Sequence, residues 1–169
     1  MDAKITESRV KIRFNDCDPF SHLNNSRYID YIMDAREDQV WEHYRFDLYK
    51  LAREEQRGWV SAQTQVSYMF PAFAGEMVTI QTRLLAYTEK SLLLEGLMWD
   101  NDKTRLKALL WTKLVHFDLK TQQSLRHSDT LLDFFRGLAY PLDQAVSFEE
   151  RVHTFRQQPK LNNHEPKLP

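Results

Sequence analysis

The order of the predicted secondary structure is the most restrictive feature of this sequence: one strand, one long helix, then four strands in succession. Val10, Ile12 and Phe14 alternate with polar residues, which predicts a half-buried strand. A helix is predicted over residues 25–44, where apolar residues recur and neither Gly nor Pro intervenes. The first half of that helix is apolar over more than one narrow stripe, which indicates that a sheet wraps around it.

Four predicted strands follow the helix. In the first, strict alternation places six residues on one face: Val60, Ala62, Thr64, Val66, Tyr68 and Phe70. The second alternates from Val78 to Leu84, and the others cover residues 92–99 and 106–117. Short connections favour antiparallel pairing. The predicted fold class is therefore α+β, with a curved antiparallel sheet around one long central helix.

The end of the chain returns to a helical pattern. We expect one domain over residues 1–122 and a C-terminal helical extension over 123–169, with helices at 129–135 and 148–155. The tail from Gln157, which contains three prolines, is expected to be frayed or disordered.

Composition excludes several classes of function. The 169 residues have a net charge of −1, so no electrostatic feature suggests a nucleic-acid partner. Four scattered glycines cannot form a glycine-rich phosphate loop, and the single Cys17 fits a reducing compartment without zinc sites. The N-terminus lacks a signal-peptide pattern and no apolar run is long enough to span a membrane, so a cytoplasmic protein without membrane partners is expected.

The turn between the first strand and the helix concentrates polar side chains. It begins with Asp16-Cys17-Asp18-Pro19, and His22-Leu23-Asn24-Asn25 leads into the helix. Pro19 removes a backbone donor and disfavours the helical region at Asp18, so the carboxylates are expected in an irregular turn.

These segments, together with Tyr28 and the later Tyr68-x-x-Pro71-x-x-x-Gly75-Glu76, resemble hotdog-fold acyl-CoA thioesterases of the 4-hydroxybenzoyl-CoA thioesterase type. The resemblance covers about Ser8 to Asp118. It implies hydrolysis of a small-to-medium or fatty acyl-CoA to free acid and coenzyme A. Ser21-His22-Leu23-Asn24 is closer to broader acyl thioesterases than to the benzoyl enzyme.

The resemblance also implies roles for individual residues. Asp18 matches the essential carboxylate, and the backbone N–H of Asn25 matches the oxyanion donor. His22 and Asn24 are further catalytic candidates, while Tyr28, Lys90 and Ser91 are candidates for substrate binding. A carboxylate can attack the thioester or activate water, and N–H groups at a helix start can stabilise the oxyanion.

The family likeness implies an assembly as well. Two sheets are expected to join edge to edge in a homodimer with the pocket between subunits, often within a homotetramer. No metal or cofactor is expected, because coenzyme A is part of the substrate.

Alternatives remain open for the activity and for the residues. The chain could act on acyl-acyl-carrier-protein, or bind acyl-CoA without hydrolysing it. Asp16, Asp18, Asn24 and Asn25 are ordinary turn and capping residue types. Asp34 and Glu37 in the helix are noted because other hotdog enzymes carry their essential acid there, although a solvated helix face explains them as well.

Overall fold

A computed structural model describes residues 3–157. Four helices and six strands make up the described chain: β1 (Ile5–Lys11), α1 (Arg27–Tyr44), α2 (Leu48–Lys50), β2 (Arg57–Tyr68), β3 (Met77–Tyr87), β4 (Ser91–Asp100), β5 (Leu106–Asp118), β6 (Gln123–Ser124), α3 (Asp129–Leu138) and α4 (Phe148–Gln157). A 3₁₀ turn at Phe14–Asp16 follows β1, and a π-helical turn at Leu51–Glu55 follows α2.

The strands form one antiparallel sheet in the order β1-β3-β4-β5-β2, and β6 extends the pairing at the end of β5. The helix α1 packs against one face of this sheet. Its buried Tyr28 and Ile32 contact a core that includes Ile80, Met98 and Leu110. The predicted curved sheet around one central helix is confirmed.

Gly96 in β4 explains how closely α1 approaches the sheet. A Cβ atom built at this position would collide with the side chain of Ile32. Only glycine therefore lets this turn of α1 sit directly on the strand.

The two C-terminal helices cover opposite faces of the sheet. Phe135 and Leu138 of α3 pack beside α1, in a cluster with Leu84, Leu92 and Leu94. Phe148 and Val152 of α4 pack on the other face, in a cluster with Leu97 and Leu109. A domain boundary at residue 122 stays a prediction, and residues 158–169 of the predicted tail lie outside the described residues.

Two details of the predicted strands are wrong. The first strand ends at Lys11, so Phe14 lies in the following turn and is 79% exposed. In β2 the register shifts between Ser61 and Gln63. Because a one-residue bulge exchanges the two faces of a strand, the six residues predicted on one face do not share it. Val60 is exposed, whereas Val66 packs against the core around α1.

Within residues 3–157, no helix combines the length and the apolar character needed to cross a bilayer. The cytoplasmic location stays a prediction.

Candidate active site

The carboxylate of Asp18 is held by the turn that it initiates. Its Oδ1 accepts hydrogen bonds from the backbone N–H groups of Phe20 at 2.9 Å and His22 at 3.0 Å. The backbone N–H of Asp18 donates to the carbonyl of His22 at 2.7 Å, and Ser21 completes the turn with a left-handed φ of 65°. Among residues 3–157, Oδ2 of Asp18 has no hydrogen-bond partner. One oxygen is therefore fixed and the other is available.

Asp16, two residues earlier, is fully engaged. Arg27 donates to its Oδ1 through Nε at 2.9 Å and Nη2 at 2.5 Å, and the Tyr31 hydroxyl donates to its Oδ2 at 2.8 Å. The hydrogen bonds from Arg27 lower the pKa of Asp16. Both partners belong to α1, so Asp16 ties the turn to the helix and leaves Asp18 as the carboxylate with a free oxygen.

The residues before α1 leave one backbone donor unused. Asn24 Oδ1 accepts from the backbone N–H of Ser26 at 3.1 Å and from its hydroxyl at 2.9 Å. The carbonyl of Asn25 accepts from the Tyr68 hydroxyl at 2.8 Å. No hydrogen bond of the Asn25 N–H occurs in the described part of the chain. This N–H precedes the helix, which begins at Arg27, and lies at the positive end of its dipole.

These groups line one open cleft of ≈ 440 Å³. The lining contains five of the predicted site residues, together with four that belong to the end of β2 and the loop after it: Asp18, His22, Asn24, Asn25 and Tyr28 with Tyr68, Met69, Phe70 and Pro71. The His22 ring meets the Phe73 ring edge to face at 5.1 Å. Sequence reasoning missed the lining role of these four residues, although its Tyr68-x-x-Pro71 motif contains two of them.

Tyr28 contributes its ring to the cleft. Its hydroxyl accepts the backbone N–H of Ala72 at 3.0 Å, and burial raises the pKa of the phenol. The ring packs edge to face against Tyr68, with 5.2 Å between centroids. The protonated hydroxyl thus anchors the loop after β2, and the two tyrosines form an aromatic wall.

Lys107 was also missed by sequence reasoning. It is a buried lysine in β5 whose Nζ donates to the carbonyl of Pro71 at 2.9 Å and lies 2.7 Å from the Glu76 carboxylate. These contacts hold the loop over residues 71–76, where Gly75 adopts a φ of +82°. A charged residue within the apolar run of β5 is the sequence signal that could have identified it.

Lys90 and Ser91 lie elsewhere in the chain. Lys90 lies in the turn between β3 and β4 and contacts Ser124, whereas Ser91 begins β4 and contacts Thr88. Ser91 pairs with Val115 of β5, whereas Tyr68 of the cleft pairs with Ala108 of that strand. At about 3.3 Å per residue, roughly 23 Å separates these two positions along the sheet. Within one chain, therefore, they do not join the cleft.

Cys17 lies between the two aspartates. Its Sγ donates to the carbonyl of Arg13 at 3.4 Å. Burial, with the charges of Asp16 and Asp18, raises the pKa of the thiol. Cys17 is therefore a protonated thiol rather than an activated nucleophile.

The sheet curls around one central helix, and the cleft lies at the start of that helix. This arrangement identifies the class of protein as the hotdog-fold thioesterases. A family model for the thioesterase-like superfamily matches residues 12–153. The chain belongs to this superfamily and is a thioester hydrolase. The match continues beyond Asp118 through α3 into α4.

Individual relatives agree with this assignment. The long-chain acyl-CoA thioesterase FadM of Escherichia coli (strain K12) is 25% identical over 119 residues, covering 70% of this chain and 88% of that protein. The structure of YbaW, a probable thioesterase from Escherichia coli, aligns with a TM-score of 0.67 at 23% identity over 79% of this chain and 98% of that one. The DHNA-CoA thioesterase of Staphylococcus aureus aligns with a TM-score of 0.71 at 14% identity over 94% and 97%. The resemblance to hotdog-fold acyl-CoA thioesterases is confirmed.

Proposed function

We propose that the protein hydrolyses the thioester of a small-to-medium or fatty acyl-CoA, with Asp18 as the catalytic carboxylate. One observation carries this proposal: the free Oδ2 of Asp18 and the free N–H of Asn25 line the same cleft. A base or nucleophile and an oxyanion donor are the two groups that thioester hydrolysis requires.

Two routes are open to Asp18. As a general base, it accepts a proton from water while the oxygen attacks the thioester carbonyl; the tetrahedral intermediate then expels the thiolate, which takes up that proton. As a nucleophile, it displaces the thiolate and forms a mixed anhydride, which water hydrolyses. In both routes the Asn25 N–H and the dipole of α1 stabilise the oxyanion, and one such donor contributes about 10²–10³ in rate.

Other cleft residues have supporting roles in this proposal. The His22 ring, half-buried against Phe73, can hold the attacking water or polarise the carbonyl. The Asn24 side chain caps Ser26 and keeps the segment before α1 in place. Tyr28 and Tyr68 form the wall against which the acyl group packs.

A homodimer would bring Lys90 and Ser91 to the cleft. The strand β2 is an unpaired edge of the sheet, and exposed aromatic rings lie near its end, including Tyr68, Phe70 and Phe73. Such an edge favours pairing with a second copy. Antiparallel pairing of two β2 strands about their centres sets the start of one opposite the end of the other. Because the start of β2 neighbours Lys90 through β5, the partner's lysine would then face the cleft and the phosphates of coenzyme A.

The decisive experiment compares hydrolysis of a panel of acyl-CoAs by wild type and Asp18→Asn. We expect kcat to fall at least about 10²-fold in the variant, the typical contribution of a general base. Asp38→Asn is the matched control, because Asp38 lies on the exposed face of α1, outside the cleft. Retained activity of Asp18→Asn would refute the catalytic assignment.

Further measurements separate the remaining alternatives. Competition between acyl-CoA and acyl-acyl-carrier-protein identifies the preferred thioester, and binding of intact acyl-CoA without turnover would favour a non-catalytic protein. A single turnover in ¹⁸O water labels Asp18 only if the carboxylate is the nucleophile. Light scattering is expected to give twice the chain mass, and Val60→Lys on the exposed edge of β2 is expected to shift it towards the monomer.

A further inference from the structure

The loop after β2 runs antiparallel to the turn that carries Asp18. An isolated bridge pairs His22 of the turn with Phe73 of the loop. On either side of this bridge a backbone hydrogen bond joins the two segments, at 2.8 Å from the Leu23 N–H to the Ala72 carbonyl and at 2.9 Å from the Ala74 N–H to the Ser21 carbonyl. Because the N–H of His22 donates to Oδ1 of Asp18, the position of the loop sets the position of the carboxylate.

Lys107 of β5 holds this loop from the other side. Its Nζ donates to the carbonyl of Pro71 at 2.9 Å and lies 2.7 Å from Oε1 of Glu76. The other oxygen of that carboxylate, Oε2, accepts the backbone N–H of Phe73 at 2.9 Å. The Lys107 Nζ also lies 5.7 Å from the centroid of the Phe73 ring. Lys107 and Glu76 therefore fix both ends of the loop and the residue between them that pairs with His22.

The location of Lys107 makes these contacts rigid. The residue is 5% exposed and belongs to β5, which lies between β4 and β2 in the sheet. Its own carbonyl accepts the N–H groups of Met69 at 2.9 Å and Phe70 at 3.3 Å, and both residues line the cleft. Replacing a buried ion pair by apolar residues is often neutral for stability, so stability alone gives no reason for a lysine here. Charge-assisted hydrogen bonds in a buried setting do fix geometry.

We propose that Lys107, through its ion pair with Glu76, is a positioning residue for Asp18. It holds the loop over residues 71–76, and the loop keeps the His22 N–H on Oδ1 of Asp18 while Oδ2 stays open to the cleft. Lys107 is not among the described residues that line the cleft, so it acts through the loop rather than on the substrate. This inference rests on the function proposed for Asp18. A misplacement of about 1 Å costs a catalytic group on the order of 10²-fold in rate.

Steady-state hydrolysis of an acyl-CoA by variants of the ion pair tests this role. Lys107→Met is expected to lower kcat by about 10- to 10²-fold and to change KM by less than about threefold, because the lysine does not line the cleft. Lys107→Arg keeps the charge and the donors and is expected to recover part of kcat. Glu76→Gln is expected to lower kcat less than Lys107→Met, and it carries the test if Lys107→Met folds poorly. Lys113→Met removes an exposed lysine of the same strand and is expected to keep the wild-type kcat.

Amide hydrogen exchange measures the link between loop and turn without the reaction. The N–H groups of Leu23 and Ala74, which join the two segments, are expected to exchange about tenfold or more faster in Lys107→Met than in wild type. The N–H of Ile80 in the middle of β3 is expected to exchange at the wild-type rate, which reports that the sheet is intact.

Failure of the proposed function and failure of this inference give different results. Retained activity of Asp18→Asn refutes the proposed function, whatever the variants of the ion pair do. The positioning role is overturned if folded Lys107→Met or Glu76→Gln keeps the wild-type kcat, if Lys107→Arg recovers nothing, or if Leu23 and Ala74 stay as protected as in wild type. An equal fall of kcat in Lys113→Met would overturn it as well, because the effect would then not be specific to the loop.

Discussion

Glu95 in β4 and Arg151 in α4 form an ion pair on the face of the sheet opposite α1. Nε of Arg151 lies 2.9 Å from Oε2 and its Nη2 lies 3.1 Å from Oε1. Arg83 and the Trp111 indole N–H also donate to the carboxylate, which is 1% exposed. Burial alone would raise the pKa of Glu95, but the bonds from Arg151 and Trp111 outweigh it and lower the pKa. This contact joins the C-terminal helix to the sheet.

Glu95→Gln is expected to lower the free energy of unfolding by about 3 kcal/mol, because removing one partner of a buried ion pair leaves uncompensated charges. Urea unfolding followed by circular dichroism measures the change. Arg151→Met is expected to have a smaller effect, since Arg83 and Trp111 still bind Glu95. Equal stability of Glu95→Gln and wild type would contradict this role.

The same carboxylate predicts a loss of stability in acid. Since the folded pKa of Glu95 lies below its ordinary value of 4.5, its contribution to stability is complete above pH 4.5 and is lost as the pH falls through the folded value. The free energy of unfolding of wild type is expected to decrease more steeply below pH 4.5 than that of Glu95→Gln. The same dependence of the free energy of unfolding on pH in both proteins would contradict this role of Glu95.

Two buried histidines predict a second loss of stability on acidification, in a higher pH range than the loss that involves Glu95. His116 is fully buried between Trp59 and His127, with ring centroids 4.9 and 5.0 Å away, and neither of its ring nitrogens has a hydrogen-bond partner among residues 3–157. Burial lowers the pKa of both histidines, and the neighbouring His127 lowers that of His116 further, while the hydrogen bond that the His127 Nδ1–H donates to the Thr88 carbonyl opposes the shift at His127. The native state therefore keeps them neutral.

Because the unfolded chain binds these protons more readily, stability is expected to fall as the pH drops below about 6.5, the ordinary value for histidine. Chemical unfolding between pH 7.5 and 5.5 measures this dependence. His116→Leu should weaken it, whereas the exposed His43→Gln should not. If His116→Leu keeps the full pH dependence of stability, groups other than His116 cause that dependence.

Gly96→Ala is expected to destabilise the protein by about 1–3 kcal/mol, the usual range for overpacking a core. The added Cβ would meet Ile32, so α1 would have to move away from the sheet. Thermal unfolding measures the effect. Ile32→Ala removes the Cγ2 atom that the new Cβ would meet, so the double variant Gly96→Ala with Ile32→Ala should lose less stability than the two single variants added together. The same melting temperature for Gly96→Ala and wild type would refute the close approach.

Asp16→Asn tests positioning of the turn. The amide cannot accept both the Arg27 and the Tyr31 bonds as the carboxylate does, so the turn loosens and kcat is expected to fall by up to about 10²-fold. Asp16→Asn is expected to keep more activity than Asp18→Asn, because Asp18 is intact. A loss in Asp16→Asn as large as that in Asp18→Asn, with a stable fold, would make Asp16 the base instead.

Local patterns were sufficient for the order of the elements. Alternation of Val78 to Leu84 placed these residues on the buried face of β3, and the uninterrupted pattern over residues 25–44 differed from α1 by two residues at its start. The local patterns gave wrong predictions where the strands are irregular. The bulge near Ala62 reverses the faces of β2, and Phe14 turns outwards because the chain leaves the strand at Lys11.

In the candidate site as well, some relationships follow from local sequence and others do not. Residues close together in sequence, from Asp18 to Tyr28, line one cleft, since one turn and one helix start hold them. Lys90 and Ser91 were associated with them through a resemblance, yet strand register places them far along the sheet in one chain. No local pattern encodes that register.

The sequence by itself determined the order of strands and helix, the curled sheet and the acidic turn before α1, because periodicity and turn chemistry act over a few residues. Only the tertiary structure decided that Tyr68 and Pro71 complete the cleft, that Glu95 holds α4, and that Arg36 of α1 lines an apolar cavity formed with α3. Such relationships depend on the pairing of distant strands and on the packing of α3 and α4, where contacts between residues far apart in sequence set the geometry.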